Sequence, residues 1–123
     1  MANVLDLSTF SDKRGNLTVV EKVLPFSINR VFYIYGVDDS VRGMHRHKKT
    51  IQAAIAIKGS CVISCKSADY EKVVDYNLDV PSKCLLLYPE DFHYMYNFTE
   101  DCILMVFASE TYSKDDYIFE EYL

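Results

Sequence analysis

Short apolar runs recur along the chain at close spacing, and each is cut from the next by turn-forming residues. The runs fall at residues 30–35, 51–57, 61–65, 72–76, 84–88 and 102–108. They are rich in isoleucine, valine, tyrosine and phenylalanine, the residues that pleated backbone prefers. The breaks are Gly36-Val37-Asp38-Asp39, Lys58-Gly59-Ser60, Ser67-Ala68-Asp69, Val80-Pro81-Ser82 and Pro89-Glu90-Asp91. Side chains alternate across a strand, so Cys61, Ile63 and Cys65 share one face. Residues 102–108 are apolar throughout, which predicts a central buried strand. Only the tail, residues 111–123, reads as helical, with Ser113 as its cap and Asp115 and Asp116 in its first turn. Many short strands with frequent turns predict an all-β sandwich or barrel.

The chain has 123 residues, half of them hydrophobic and a quarter charged. That supports one globular domain over residues 1–123, with one core. A net charge of −5 argues against a nucleic-acid partner, because phosphate backbones need a basic face. One local basic cluster remains, Arg42, Arg46, Lys48 and Lys49, and it could serve a small anionic substrate. No apolar run reaches membrane-spanning length, and the first ten residues lack the basic and apolar regions of a signal peptide. A cytoplasmic protein is expected, and Asn16-Leu17-Thr18 and Asn97-Phe98-Thr99 are then chance sequons. The four cysteines form no C-x-x-C pair and sit in strand-like stretches, as reduced core cysteines do.

The segment richest in chemistry is Arg42-Gly43-Met44-His45-Arg46-His47-Lys48-Lys49. On a strand, His45 and His47 point to the same side. Taken alone, such a pair suits two solvated histidines as well as a site. The surroundings favour the site. Gln52 and Gly59 follow at fixed spacing, and Pro89, His93 and Asn97 come later. This frame resembles the two motifs of the cupin superfamily, which implies a jelly-roll β-barrel of antiparallel strands. Two departures stand out. Gln52 takes the place of the usual acidic metal ligand, and the second motif lacks its glycine. A carboxylate gives charge to a divalent ion and an amide does not. Three neutral histidines and a glutamine can still hold a metal, but a metal-free site is the favoured expectation.

A closer resemblance runs over nearly the whole chain. Asp12-Lys13-Arg14-Gly15-Asn16-Leu17, residues 25–34, the H-x-H segment, Gly59-Ser60-Cys61, Ala108-Ser109 and Asp116-Tyr117-Ile118 are together similar to the dTDP-4-keto-6-deoxyglucose 3,4-ketoisomerases. The resemblance implies a homodimer without metal or other cofactor. It implies a dTDP-linked 4-keto-6-deoxy sugar as substrate and a PLP-dependent aminotransferase as the next enzyme. The pathway would build 3-amino-3,6-dideoxyhexoses for lipopolysaccharide O-antigens or surface-layer glycans. Moving a carbonyl from C4 to C3 needs proton transfer through an enediol, for which histidine is suited. The family pair makes His47 the base and His45 its partner; the residues alone do not order them.

The family positions also place Tyr33 and Arg42 in the pocket as stabilisers of the oxyanion, with Arg42 alternatively on the diphosphate. Arg14 and His93 correspond to positions tied to product stereochemistry, and this pairing resembles the branch giving the galacto-configured product. Gln52 and Lys48 complete the substrate-binding set. Asn97 reads as a turn residue. Ten tyrosines and seven phenylalanines offer too many walls for a thymine base to single one out. Three other readings stay open: a sugar-nucleotide 3,5-epimerase, a metal-binding cupin enzyme and a non-enzymatic sugar-binding cupin.

Overall fold

The computed structural model describes residues 1–69 and 72–122. Leu123, the end of the tail expected to be helical, lies outside them. The strands are β1 (Asn3–Asp6), β2 (Ser8–Asp12), β3 (Gly15–Val19), β4 (Arg30–Ile34), β5 (Arg42–His47), β6 (Gln52–Lys58), β7 (Cys61–Lys66), β8 (Val74–Leu78), β9 (Lys83–Leu87), β10 (Phe92–Tyr96), β11 (Ile103–Ala108) and β12 (Tyr117–Ile118). Two five-stranded sheets form, in the orders β1-β9-β6-β11-β4 and β12-β5-β10-β7-β8, and every pairing is antiparallel.

The core lies between the sheets. Ala54, Ala56, Leu85, Leu87, Leu104 and Val106 of the first sheet join Cys61, Ile63, Cys65, Leu78 and Met95 of the second in one buried cluster. The expected alternation holds at Cys61, Ile63 and Cys65, all fully buried. In β11 the alternation explains an all-apolar strand. Leu104, Val106 and Ala108 face the core, and Ile103, Met105 and Phe107 are half-buried on the other face. A second cluster there is covered by Val20, Leu24 and Phe26, from the segment after β3.

The hairpin β2–β3 forms its own two-stranded sheet, and every residue of β2 is exposed. Phe10 and Leu17 lie open on it, and Lys13 and Arg14 make its turn. The turn residue read at Asn97 has φ of 53°, the left-handed region that asparagine tolerates. No helix among the described residues is long and apolar enough to cross a membrane.

The tail corrects the sequence reading. Among the described residues its only helical turn is a 3₁₀ turn, Lys114–Asp116, and Ser113 makes no side-chain cap to it. The chain then enters β12, which pairs with β5 as Tyr117 opposite His47 and Ile118 opposite Arg46. Capping preferences failed because the Asp116 carboxylate has a tertiary partner, described below.

Candidate active site

Backbone geometry in β5 aims the histidines. Gly43 has φ of 91° and Met44 φ of 62°. Opposite them the register of β10 shifts between His93 and Tyr94. This is the extra-residue irregularity that re-aims side chains near functional sites. Glycine is required at its start, because a Cβ on Gly43 would stand 3.1 Å from the His93 carbonyl oxygen and 3.2 Å from the Tyr94 Cα. Beyond the kink, His45 lies opposite His93, and His47 lies opposite Tyr117. The ring centroids of His45 are 5.0 Å from His47 and 4.8 Å from His93. Tyr117 packs 4.8 Å from His45 and 4.7 Å from His47.

Hydrogen bonds fix the tautomer of all three imidazoles. His47 Nδ1 lies 3.0 Å from Asp116 Oδ2, His45 Nδ1 3.1 Å from the Gly43 carbonyl, and His93 Nδ1 3.1 Å from the Asp91 carbonyl. Carboxylate and carbonyl oxygens only accept, so each Nδ1 carries the hydrogen and each neutral Nε2 carries a lone pair. The Nε2 atoms of His47 and His93 are buried and have no hydrogen-bond partner among the described residues. The cavity thus presents proton acceptors ready for a ligand.

Asp116 was missed as a functional residue by the sequence reading. Its Oδ2 accepts from the His47 Nδ1–H and from the Thr50 hydroxyl, and its Oδ1 accepts from the Lys49 N–H at 2.9 Å. Burial pushes its carboxyl up, but bonds from Thr50, Lys49 and His47 outweigh that and hold it below the usual carboxylate range. The spacing of Asp116 from the H-x-H segment carried no signal, since 69 positions separate it from His47.

Burial, then the His47 charge, push His45 down to about 4, against a smaller rise from the Gly43 carbonyl. Burial and neighbouring histidines push His93 down to about 3. Burial also lowers His47, and the Arg30 charge adds to this. The Asp116 carboxylate opposes both without cancelling them. All three are therefore neutral at pH 7. In the unfolded chain a histidine titrates near 6.5, so between that pH and the folded values the unfolded state binds more protons. This contribution to stability is complete above pH 6.5 and falls as the pH drops toward 4. Each fully buried histidine can remove up to about 1.4 kcal/mol per pH unit. The melting temperature is expected to fall steeply between pH 6.5 and 4.5, and less steeply in a His93→Asn variant. A melting temperature that is level over this window would show that the rings are not held neutral by the fold.

The cavity encloses about 170 Å³ and is lined by Phe32, Ile34, Arg42, Gly43, His45, Gln52, Ala54, Leu87, His93, Met95, Val106 and Tyr117. It brings together five of the residues singled out in the sequence: His45 and Gln52, with Arg42 and His93, line it, and His47 packs against two of the rings that form it. Tyr33 is not among them. Alternation on β4 turns Phe32 and Ile34 inward and leaves Tyr33 exposed on the outer face, stacked 5.8 Å from Tyr35. Arg14 stands on the hairpin turn and pairs with Asp12 at 2.6 Å. Lys48 is exposed at the end of β5.

The basic cluster does not converge on the cavity. Arg46 lies over the Tyr122 ring at 4.4 Å, Lys49 is 3.9 Å from Glu110, and only Arg42 of the four lines the cavity. One ring nitrogen from each histidine lies within 4.8 Å of the others. That donor set suits a divalent ion, with the neutral Gln52 amide in place of a charged ligand.

Comparisons with known proteins agree in one direction. The family model described as "FdtA: WxcM-like, C-terminal" matches residues 1–122. The TDP-4-oxo-6-deoxy-alpha-D-glucose-3,4-oxoisomerase of Aneurinibacillus thermoaerophilus is 36% identical over 118 residues, covering 94% of this chain and 84% of that protein. A histidine-to-asparagine variant of the 3,4-ketoisomerase QdtA from Thermoanaerobacterium thermosaccharolyticum, solved with TDP-4-keto-6-deoxyglucose, superposes with a TM-score of 0.88 at 41% identity. There the match covers 97% of this chain and 87% of that one. The TDP-fucose-3,4-ketoisomerase WlaRA of Campylobacter jejuni gives a TM-score of 0.87 at 34% identity, covering 97% and 89%.

Proposed function

We infer the reaction from one premise: the chain belongs to the FdtA family (WxcM-like, C-terminal) and is a TDP-sugar 3,4-ketoisomerase. We propose that its substrate is TDP-4-keto-6-deoxyglucose and that a histidine relay moves the carbonyl from C4 to C3. The observation that carries this is the His47–Asp116 pair, which leaves a neutral, unpartnered His47 Nε2 lone pair beside the two histidines that line the cavity.

The C4 ketone acidifies the C3 hydrogen. His47 Nε2 takes that proton, the C3–H electrons form the C3–C4 double bond, and the C4 oxygen becomes an oxyanion. Arg42 and the Gln52 amide line the cavity as donors for it. His47 then returns its proton to C4. The O3 proton passes to O4 through a second imidazole, for which His45 and His93 offer Nε2. The substrate loses hydrogen from C3 and O3 and gains it at C4 and O4, so nothing is consumed. A divalent ion on the three imidazoles would polarise the ketone, but no step above requires one.

His93 in the cavity, together with Arg14, supports a galacto-configured product. Arg14 stands on a hairpin held away from its own cavity, so we assign its action to a homodimer in which the hairpin reaches the other copy. The 3-keto product is the form that an aminotransferase acting at C3 would consume. Four unpaired buried cysteines suit a reducing cytoplasm.

The test is incubation with TDP-4-keto-6-deoxyglucose after exhaustive chelation, with the product followed by NMR. The expected result is a 3-keto sugar bearing an axial C4 hydroxyl, formed at the undiminished rate. Loss of rate on chelation, restored by a divalent metal, would favour the metal-dependent cupin reading instead. Deuterium uptake at C5 in deuterium oxide would favour the epimerase.

A further inference from the structure

Asp91 is a buried carboxyl group that the mechanism above does not use. None of its surface is exposed. It stands in Pro89-Glu90-Asp91, one of the breaks between strands, where the chain leaves β9 of the first sheet for β10 of the second. Leu87 and His93, on either side of this turn, line the cavity. The second cupin motif has a glycine between its proline and histidine, and this chain has none. No residue from 88 to 92 needs one, because none has a positive φ.

A side chain closes the turn instead. Asp91 Oδ2 accepts the Tyr88 N–H at 2.8 Å, and the Asp91 N–H donates to the Tyr88 carbonyl at 3.0 Å. Aspartate closes turns in this way, by bonding to nearby backbone. Burying a carboxyl group costs free energy unless it is hydrogen-bonded. Such a group is a poor choice for a mere connection and a good one for a turn that must hold its shape.

Three successive carbonyls of the turn fasten parts of the site. The Pro89 carbonyl accepts the His47 N–H at 3.0 Å, the Glu90 carbonyl accepts the Tyr122 hydroxyl at 2.8 Å, and the Asp91 carbonyl accepts the His93 Nδ1–H at 3.1 Å. They hold the end of β5, the tail beyond β12 and the His93 ring. Of the three imidazoles, that of His93 takes its tautomer from the turn. His47 takes its own from Asp116, and His45 from the Gly43 carbonyl. If the Asp91 carbonyl swings away, the hydrogen of His93 is free to move to Nε2, and the cavity loses a lone pair.

We propose that Asp91 is a positioning residue for the isomerisation: its carboxylate locks the Tyr88–Asp91 turn, and the turn holds His93 with Nε2 open to the substrate. This rests on the relay above, in which His93 offers Nε2 for the O3 proton. Asp91 is not one of the cavity walls, so its effect falls on kcat and not on binding. Misplacing a proton-transfer group by about 1 Å costs up to about 10²-fold in rate.

The experiment measures kcat and KM for TDP-4-keto-6-deoxyglucose in Asp91→Asn, Asp91→Ser and Asp91→Ala, and records the tautomer of each histidine by nitrogen-15 NMR. Leu78→Ala, which damages the core at a residue that is not a cavity wall, is the control. Asparagine keeps an oxygen for the Tyr88 N–H, so kcat should stay within about threefold of the wild type. Serine reaches less far and alanine not at all. Their kcat should fall by about tenfold and by about 30–100-fold, with KM held within about twofold. In the same order His93 should pass from Nδ1–H alone to a mixture of tautomers, while His47 keeps Nδ1–H. If Asp91→Ala does not fold, the serine variant carries the same prediction. Leu78→Ala should melt lower yet keep its kcat and the His93 tautomer. Wild-type kcat in Asp91→Ser, an Asp91→Asn variant as slow as Asp91→Ser, or a loss of kcat with the His93 tautomer unmoved overturns the positioning role and leaves the isomerase reading intact. A wild-type chain that does not isomerise the sugar overturns both.

Discussion

Asparagine in place of His47 is expected to lower turnover of TDP-4-keto-6-deoxyglucose by about four orders of magnitude while the fold and substrate binding survive. Abstraction of a proton from carbon has no route here without a positioned lone pair. His47 is the one imidazole backed by a carboxylate, and the others lean on backbone carbonyls. A carboxylate behind the ring fixes the tautomer and raises basicity, which burial otherwise lowers. Asparagine suits the test better than alanine. Its amide can still donate to Asp116, so the buried carboxylate keeps a partner and the site keeps its volume. Nucleotide affinity measured by calorimetry should match the wild type, and the melting temperature should lie within a few degrees. Turnover within tenfold of the wild type would remove His47 from the role of base and pass it to His45 or His93.

The sequence made the strand architecture legible where period-two alternation met breakers, as in β7. Its boundaries slipped by a residue or two where an apolar run continued past the last ladder bond, as at Cys102 before β11. One predicted strand, 72–76, begins later, at Val74. The H-x-H pair was legible because pleat geometry puts both of its imidazoles on one face, whereas His93 was reached only through the resemblance to the second cupin motif. Tyr33 was misplaced by family analogy although the same alternation, applied to its own strand, points it away from Phe32 and Ile34. Strand β12 and Asp116 were hidden for a different reason. Two residues are too short to show a period, and an aspartate after a serine looks like the first turn of a helix. What decides its role is a partner 69 positions away, which local pattern does not encode.

Asp116→Asn gives the second large loss, about 10²–10³-fold in kcat with little change in KM. The reason is a conflict of donors. In the wild type the carboxylate accepts from the His47 Nδ1–H, from the Thr50 hydroxyl and from the Lys49 N–H. An asparagine has one accepting and one donating end. If its oxygen stays on the Lys49 N–H, its NH₂ faces Nδ1 and forces the hydrogen of His47 onto Nε2, which removes the base. If its oxygen turns to His47, its NH₂ meets the Lys49 N–H and two donors oppose each other in a buried place. Either outcome costs turnover, and a pH profile separates loss of orientation from simple damage. Asp116 raises the His47 pKa from the low value that burial alone would give, so its removal should move the acid limb of kcat/KM to lower pH. An acid limb that stays in place, with activity lost in proportion to folded protein, would make Asp116 a packing residue.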